Sequence, residues 1–338
     1  MKLLRNRIVS AILALSLVIT GGFTLSVPAV CAKETSANAE YSFNPHVCPS
    51  MLYEAYGEDY WTSFFNMCDA LREGKDTFKC ASADVYVWCY VGNLVDDFLP
   101  AAKQYIEYIG TEKGYSNGVG KIVYTIPAEE FVKIERDFEK DIEEVISENV
   151  RKDDTDFEKC AALYKYMADN YVYDQEEYDG LNSGALNPRD YGAYRTFMDK
   201  KGICGDLSSL YNYLLLQCGV DAYYFHDNIV GKHAWSYVKV DGVGYHVDTT
   251  WKFTLNSFMM TTDVRKQTLA EHEISGPIYP RHYFKEAPIY DPKFDFSAND
   301  DRYAELRNGW NILSIDRERK VITYDSPDGV KEFYYGNL

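Results

Sequence analysis

Residues 202–251 read GICGDLSSLYNYLLLQCGVDAYYFHDNIVGKHAWSYVKVDGVGYHVDTTW, and this stretch decides the fold. It contains a cysteine ahead of an amphipathic run, a histidine ahead of an alternating run, and an aspartate in the next alternating run. A thiol nucleophile needs a base that takes up its proton and a third group that orients the base. The order of Cys204, His233 and Asp248 therefore indicates nucleophilic catalysis by a thiol.

An amphipathic helix of about four turns is predicted to begin at Cys204, because apolar residues recur after it at steps of three and four. These residues are Leu207, Leu210, Tyr211, Leu214, Leu215 and Cys218. Gly219 follows the last of them, as is typical of a helix end. Cys204 would then lie in the first turn, where free backbone N–H groups and the helix dipole stabilise a thiolate. We expect Cys218, at the other end, to be an ordinary buried cysteine.

Strands rich in aromatic and β-branched residues are predicted after this helix. They cover residues 220–225, 233–240 and 245–249. Asp241-Gly242 predicts a two-residue turn between the last two strands. With this turn, Asp248 lies opposite Trp235 and diagonal to His233 on the same face, at a Cβ separation of ~7–8 Å. Since a slip of one residue would part the two side chains, this register predicts a hydrogen bond between Asp248 and His233 Nδ1.

Three short motifs in this stretch, GICGDLS, HAW and YHVDTTW, resemble the motif blocks of the transglutaminase-like superfamily. Members of that superfamily share a papain-like core and a Cys-His-Asp triad. The resemblance covers roughly residues 157–263 and implies an α+β fold in which the nucleophile helix packs on an antiparallel sheet. By position, it implies Cys204 as the nucleophile, His233 as the general base and acid, and Asp248 as the residue that orients the imidazole.

The chemistry implied is acyl transfer, in which the thiolate attacks an amide carbonyl and the imidazolium protonates the leaving amine. Backbone N–H groups at the helix start, including that of Cys204, would bind the oxyanion. Tyr191 and Tyr194 either line the cleft or pack as ordinary core residues. Water as the acceptor gives a peptidase or amidase, whereas a lysine amine gives a cross-linking transglutaminase. We expect hydrolysis, because the sequence shows no second-substrate site, β-sandwich domain or calcium loop.

A different class of function is a non-catalytic, wall-associated binding module that keeps the fold. A complete set of thiol, base and orienting carboxylate argues against it, because binding alone requires none of the three.

Residues 1–32 are predicted to be a secretory signal peptide. The start of this segment is positively charged through Lys2, Arg5 and Arg7. Residues 8–20 are mostly apolar but too short to span a membrane. Cleavage is expected after Ala32, with Ala29 as the alternative site. A lipid anchor at Cys31 is not expected, because the bulky Val30 precedes it. The segment predicts a bacterial protein that is secreted or lies close to the cell wall.

The formal net charge is −17, and removing residues 1–32 takes away three positive charges and no negative ones, which leaves −20. Such a surface repels nucleic acid and anionic lipid. The expected partner is a peptide or protein substrate, with a cell-wall-associated one among the candidates. We expect neither a metal nor a cofactor, because no array of Cys and His residues suggests zinc.

Four cysteines, Cys48, Cys68, Cys80 and Cys89, lie close together in the sequence after the signal peptide. Export permits disulfides, so one or two bridges are compatible with this cluster. Four reduced, buried thiols are equally compatible with it.

The chain after the signal peptide is interpreted as an N-terminal α/β region (33–126), a catalytic domain (127–287) and a C-terminal β appendage (288–338). In the N-terminal region, residues 104–109 and 121–126 alternate across a glycine-rich turn and predict a hairpin.

The catalytic domain is predicted to begin with a long acidic helix at Pro127, whose charges form a solvated face. A capping box at Thr155 and Glu158 opens the next helix. Residues 173–194 are predicted to be a loop that approaches Cys204, and residues 258–261 a further strand of the sheet. A three-stranded meander is predicted over 310–315, 321–325 and 331–335.

Overall fold

The structure is a computed structural model that describes residues 41–91, 93–227, 232–250, 254–281 and 291–338. The predicted signal peptide lies outside the described residues. The helices are α1 (Ser50–Tyr56), α2 (Glu58–Arg72), α3 (Ala83–Val91), α4 (Leu94–Phe98), α5 (Thr111–Gly114), α6 (Ala128–Asn149), α7 (Asp156–Asn170), α8 (Gln175–Asn182), α9 (Ala193–Asp199), α10 (Cys204–Gln217) and α11 (Thr262–Glu271).

The strands are short apart from those of two sheets near the carboxyl half of the chain. They are β1 (Thr77–Lys79), β2 (Ile106–Glu107), β3 (Tyr115–Ser116), β4 (Val119–Lys121), β5 (Val123–Tyr124), β6 (Val172–Tyr173), β7 (Lys201–Gly202), β8 (Ala222–His226), β9 (Ala234–Val240), β10 (Val243–Val247), β11 (Tyr279–Pro280), β12 (Ile312–Asp316), β13 (Val321–Ser326) and β14 (Gly329–Tyr334).

A four-stranded antiparallel sheet in the order β10-β9-β8-β11 forms the centre of the fold. Both residues of the predicted turn have a positive φ, 51° at Asp241 and 80° at Gly242. This is the geometry of a type I′ turn, which matches the twist of the strands that it joins. Val240 consequently pairs with Val243, as the sequence predicts.

Helix α10 packs on this sheet through its first turns. Ser208 Oγ donates to the Ala234 carbonyl at 3.4 Å, and Ser236 Oγ donates to the Ser208 carbonyl at 3.4 Å. Helix α7 contacts α10, where Tyr211 Oη donates to the Cys160 carbonyl at 2.9 Å. These contacts confirm the predicted α+β fold, in which the nucleophile helix packs on an antiparallel sheet.

The strand pairing predicted for the N-terminal region is present, but the connection between the two strands is not the simple turn that was expected. Strands β2 and β5 do pair antiparallel, but the segment between them folds into α5 and a second hairpin, β3–β4, which also pairs with β1. The reason is local: Asn117 and Gly118 both have a positive φ, 48° and 81°. An Asn-Gly pair favours a tight turn between adjacent residues, so it closes the nearer hairpin first.

Two predictions within the catalytic domain are also wrong. The expected loop 173–194 contains α8, because the Asp174 side chain accepts from the backbone N–H groups of Glu176 and Glu177 and caps a helix there. The expected strand at 258–261 is a single bridge, in which Met260 exchanges backbone hydrogen bonds of 2.8 and 2.9 Å with His246.

Helix α6 begins after Pro127 as predicted, but one of its charged residues departs from the expected solvated face. Glu135 is buried, and this burial raises the pKa of its carboxyl to about 8. A neighbouring charge on the same helix, Glu139, raises it further, whereas Arg72 of α2 acts in the opposite direction. The amphipathic pattern thus identified the apolar stripe but missed a carboxyl beside it.

The C-terminal meander has the predicted order β12-β13-β14, and it packs closely on α7. The Phe157 ring stacks on the Tyr303 ring with centroids 4.3 Å apart. Glu158 Oε1 accepts from Lys320 Nζ at 3.0 Å and from Tyr335 Oη at 2.7 Å. The same Glu158 closes the predicted capping box with Thr155, so one carboxylate both starts α7 and holds the meander.

All seven cysteines of the described residues are free thiols. Among these residues, no helix combines the length and the apolar character needed to cross a membrane.

Candidate active site

Cys204 is the first residue of α10, with Ile203 in extended conformation before it. The thiol therefore lies at the amino end of the helix, as the sequence predicts. His233 directly precedes β9, and its backbone N–H donates to Asp227 Oδ1 at 2.8 Å. This contact fixes the backbone at the start of β9, where His233 lies. The imidazole also hydrogen bonds to the Cys204 side chain.

His233 Nε2 and Asp248 Oδ2 are 2.7 Å apart. The predicted pairing of these two residues is therefore present, but the ring nitrogen is Nε2 and the prediction of Nδ1 is wrong. The strand register fixes which face a side chain lies on, whereas the orientation of the ring depends on tertiary contacts. Because Nε2 is directed at the Asp248 carboxylate, Nδ1 is the ring nitrogen that is left to interact with the Cys204 thiol.

The carboxylate of Asp248 is completely buried and accepts several hydrogen bonds. Besides His233, Arg265 Nη1 donates to Oδ2 at 2.9 Å and the Thr250 backbone N–H donates to Oδ1 at 2.9 Å. Burial alone would raise the pKa of Asp248, but the charges of His233 and Arg265 and these hydrogen bonds hold it well below its usual range.

Opposing effects also act on His233. Burial lowers the pKa of its imidazole, whereas the Asp248 charge and the hydrogen bonds to Asp248 and Cys204 raise it, and the result is a pKa of about 9. The ring is consequently protonated at neutral pH when an anion lies beside it. Such a ring can stabilise a thiolate and later protonate a leaving amine.

Two tyrosines that the sequence interpretation did not single out as site residues, Tyr173 and Tyr224, lie within electrostatic range of Cys204. Tyr224 Oη lies so close to the first turn of α10 that a Cβ added at Gly205 would be only 2.8 Å from it. The Arg281 guanidinium lies 4.4 Å from the centroid of the Tyr224 ring. The alternation of β8 predicts which residues share a face of the sheet with Tyr224. Nothing in the sequence indicates that the Tyr224 side chain lies near the Cys204 thiol.

Residues 144–249 match the family model of the transglutaminase-like superfamily. We call the matched residues the transglutaminase-like domain, after the family model that they match. The match covers the stretch that contains Cys204, His233 and Asp248, and it agrees with the fold of α10 and its sheet.

Two solved structures are similar to this chain at low identity. One, a protein from Cytophaga hutchinsonii assigned as a cysteine protease, has 16% identity and a TM-score of 0.27, over 42% of this chain and 48% of that chain. The other, a TGase, has 21% identity and a TM-score of 0.29, over 37% of this chain and 34% of that chain. The chain thus spans less than half the length of either structure. No curated protein matches it.

A pair of buried carboxyl groups lies next to the nucleophile of the transglutaminase-like domain. Asp206, in the first turn of α10, hydrogen bonds to Glu177 of α8. Burial raises the pKa of both groups. The hydrogen bond and the negative charge of Asp206 raise the pKa of Glu177 further, to about 9, whereas the hydrogen bond with Glu177 lowers the pKa of Asp206. The pair therefore connects α8 to the first turn of the nucleophile helix.

Tyr194, a predicted candidate, and a further histidine, His246, pack as core residues. The Tyr194 ring lies against Phe138 with centroids 5.3 Å apart, which makes it an ordinary packing residue of the α6 side. His246 accepts a hydrogen bond at Nδ1 from Trp235 Nε1 at 3.0 Å, and its burial lowers its pKa to about 3. His246 is thus a neutral core residue.

Within the part of the chain that the structure describes, no group of three or more His, Cys, Asp or Glu side chains is placed to hold a metal ion.

Proposed function

We propose that this protein is a thiol-dependent acyl-transfer enzyme that hydrolyses amide bonds in peptide or protein substrates, and that it acts outside the cell or close to the cell wall. One observation carries the proposal: the thiol at the amino end of α10 contacts an imidazole that is itself bonded to a completely buried carboxylate. A core packing role requires none of these polar groups, and burying all three costs free energy.

Catalysis would begin with the Cys204 thiolate attacking the amide carbonyl. The carbonyl oxygen becomes an oxyanion, which the Cys204 backbone N–H would bind. The Tyr224 hydroxyl, which lies close to the first turn of α10, would be a second donor. The His233 imidazolium then protonates the departing amine, and a thioester remains on the enzyme. Neutral His233 removes a proton from water, which attacks the thioester and releases the acid. Asp248 keeps the imidazole oriented throughout.

The formal charge of −17 supports a substrate that is neutral or basic, because an acidic surface repels anionic polymers. The signal-like segment at residues 1–32 supports an extracellular site of action. Both features suit a peptide substrate outside the cell better than a nucleic acid or a lipid.

The test is turnover by the chain from residue 33 onward. We expect release of amine from a peptide library without any added amine acceptor, measured by reaction of the new amino groups with fluorescamine. Cys204→Ala should abolish release by a factor on the order of 10⁶, with an unchanged circular dichroism spectrum because the first helical turn tolerates Ala. Cys218→Ala, a change at the opposite end of the same helix, is the matched control and should retain activity.

Two results would overturn hydrolysis. Incorporation of a labelled amine without any release of acid would move the assignment to a transglutaminase. Absence of both reactions, together with a Cys204 that reacts no faster than a free thiol, would favour a binding module.

A further inference from the structure

Arg265, on α11, is an unusual residue to find beside this site, because its side chain is completely buried. Its Nη1 donates to Asp248 Oδ2 at 2.9 Å and to Thr268 Oγ1 at 3.3 Å. The guanidinium lies over the Trp235 ring, 4.2 Å from the ring centroid. The same Oδ2 atom is bonded to His233 Nε2, so an arginine and a histidine share one carboxylate oxygen.

Hydrogen bonding does not offset the burial of this guanidinium. Its Nε and Nη2 atoms are buried and have no acceptor among the residues that the structure describes. Burying a cation with donors left over costs more than burying an apolar side chain of the same length, and apolar replacements of buried ion pairs often stabilise a fold. A methionine could fill the same space over Trp235. The positive charge itself therefore requires an explanation.

The groups that this charge faces are mostly acidic. Asp248, Asp227 and the Cys204 thiol all interact with the Arg265 guanidinium. Burial lowers the pKa of His246 to about 3, and the charge of Arg265 further favours the neutral ring. In the reactive state a thiolate and a carboxylate carry two negative charges, and imidazolium and guanidinium carry two positive charges. These four groups are then neutral as a set, and Asp227 is a further acidic group that interacts with Arg265.

We propose that Arg265 is a positioning residue of the site, which balances the charge of Asp248 and holds its Oδ2 atom where His233 Nε2 meets it. This inference rests on the proposed acyl-transfer chemistry. Without the guanidinium, the buried site would carry a net negative charge and would retain its protons to higher pH. His233 would then release its proton less readily in the step that activates water.

The experiment measures how fast iodoacetamide alkylates Cys204 as a function of pH, which requires no substrate. Arg265→Met keeps the length of the side chain and removes its charge, and Arg265→Lys keeps the charge. The alkylation rate changes in steps, each at the pH where a group of the site loses its proton. For Arg265→Met we expect these steps to lie about 1–2 pH units higher, the size of effect that a neighbouring charge exerts. Arg265→Lys should stay close to the wild-type profile, as should the exposed control Arg319→Met.

If Arg265→Met fails to fold because the charge of Asp248 is left uncompensated, the same change can be made in the Asp248→Asn variant. Asp248→Asn with Arg265→Met contains no unpaired buried charge. Its steps should lie above those of Asp248→Asn alone, because the only further change is the loss of a cation. Coincident profiles in both backgrounds, with thermal stability alone altered, would show that Arg265 merely fills space and would overturn the proposal.

Turnover separates this inference from the proposed function. If peptides are hydrolysed, Arg265→Met should lower kcat by at least ~10-fold with little change in KM, since the residue does not contact substrate. If nothing is hydrolysed but the alkylation profiles shift as described, the hydrolytic function fails while the role of Arg265 stands. A wild-type Cys204 that alkylates with the pH profile of a free thiol would overturn both.

Discussion

Cys204 differs from the other described cysteines in the groups around it. It lies at the amino end of a helix beside His233, whereas burial raises the thiol pKa of Cys160 and raises that of Cys218 to about 12. Iodoacetamide at mildly acidic pH should therefore modify Cys204 first, because the thiolate is the reactive form. Peptide mapping by mass spectrometry gives the order of modification. Alkylation of Cys160 or Cys218 at the rate of Cys204 would contradict the assignment.

His233 predicts a pH dependence of activity. Because its pKa is about 9, the imidazolium that protonates the leaving amine is lost above that pH. The kcat/KM profile should consequently fall with an alkaline limb near pH 9. In Asp248→Asn the carboxylate charge that raises this pKa is gone, and the limb should move down by about 1–3 pH units. An alkaline limb that stays in place in this variant would show that it reports some other group.

The same pair predicts the direction of a stability change. The folded-state pKa of His233 lies above its ordinary value of 6.5, so the pairing with Asp248 stabilises the fold fully below that pH. The contribution is lost as the pH rises through about 9. The difference in Tm between the wild type and His233→Gln should therefore shrink over this interval, which thermal melts across the pH range will measure.

Tyr224 and Gly205 make a paired prediction about the oxyanion. Tyr224→Phe removes the hydroxyl next to the start of α10 and should lower kcat by up to about 10²-fold, with little effect on KM. Gly205→Ala should cause a similar loss, because its Cβ would lie 2.8 Å from Tyr224 Oη and displace it. In the Tyr224→Phe background, Gly205→Ala should cost little more. Additive losses in the double variant would show that the two residues act separately.

At the scale of elements, sequence reasoning succeeded where a local signal determined the structure. The Asp241-Gly242 turn fixed the register of β9 and β10, and the register placed Asp248 within reach of His233. The elements and contacts that the sequence did not predict have no local signal of this kind. Strand β11 has two residues and exists only because β8 offers a free edge. Arg265 lies on a different element from Asp248, and no spacing in the sequence reveals their contact.

Helix α6 shows a second limit of pattern reasoning, since Glu135 sits among charged neighbours in sequence but is buried. Its carboxyl has a folded-state pKa of about 8, against 4.5 for an ordinary glutamate. The unfolded chain therefore loses its proton first, and stability falls as the pH rises from about 4.5 to about 8. An amphipathic pattern reports only the average face of a helix, not the burial of one position.

Glu135→Gln should remove this penalty. The variant should be more stable than the wild type at pH 8 by several kcal/mol, because the penalty grows by roughly 1 kcal/mol for each pH unit between 4.5 and about 8. The gain should vanish as the pH falls below 4.5, where the wild-type carboxyl becomes protonated in both states. Glu144→Gln, an exposed change on the same helix, is the control and should alter Tm equally at both pH values. An equal gain for Glu135→Gln at both pH values would exclude the buried ionisation.

At the scale of the whole molecule, the C-terminal meander and the transglutaminase-like domain share contacts rather than merely adjoining each other. The sequence predicted the three strands correctly but described them as an appendage, because strand patterns do not reveal which surface the strands cover. In the structure, Arg317 of the β12–β13 turn donates to Asp154 Oδ2 at 2.8 Å and to the Asn149 carbonyl at 2.9 Å. These partners lie in the segment that joins α6 to α7.

This contact predicts how the meander affects overall stability. Asp154 is 1% and Arg317 16% exposed at the side chain, whereas the nearby Arg319–Glu332 pair is 61% and 53% exposed. Arg317→Ala should cost on the order of 3 kcal/mol, because it leaves a buried carboxylate without its partner. Arg319→Ala should leave stability unchanged, because solvent screens an exposed pair. Urea denaturation of both variants measures the difference.

The form of the unfolding transition carries the same information. If the meander and the catalytic core unfold as one cooperative unit, the two-state m-value of Arg317→Ala should equal that of the wild type while its midpoint falls. Amine release by Arg317→Ala should then decline at the same urea concentration as its tryptophan fluorescence. If the variant stays fully active at urea concentrations that unfold the meander, the β strands are an independent module and α7 is stable without them.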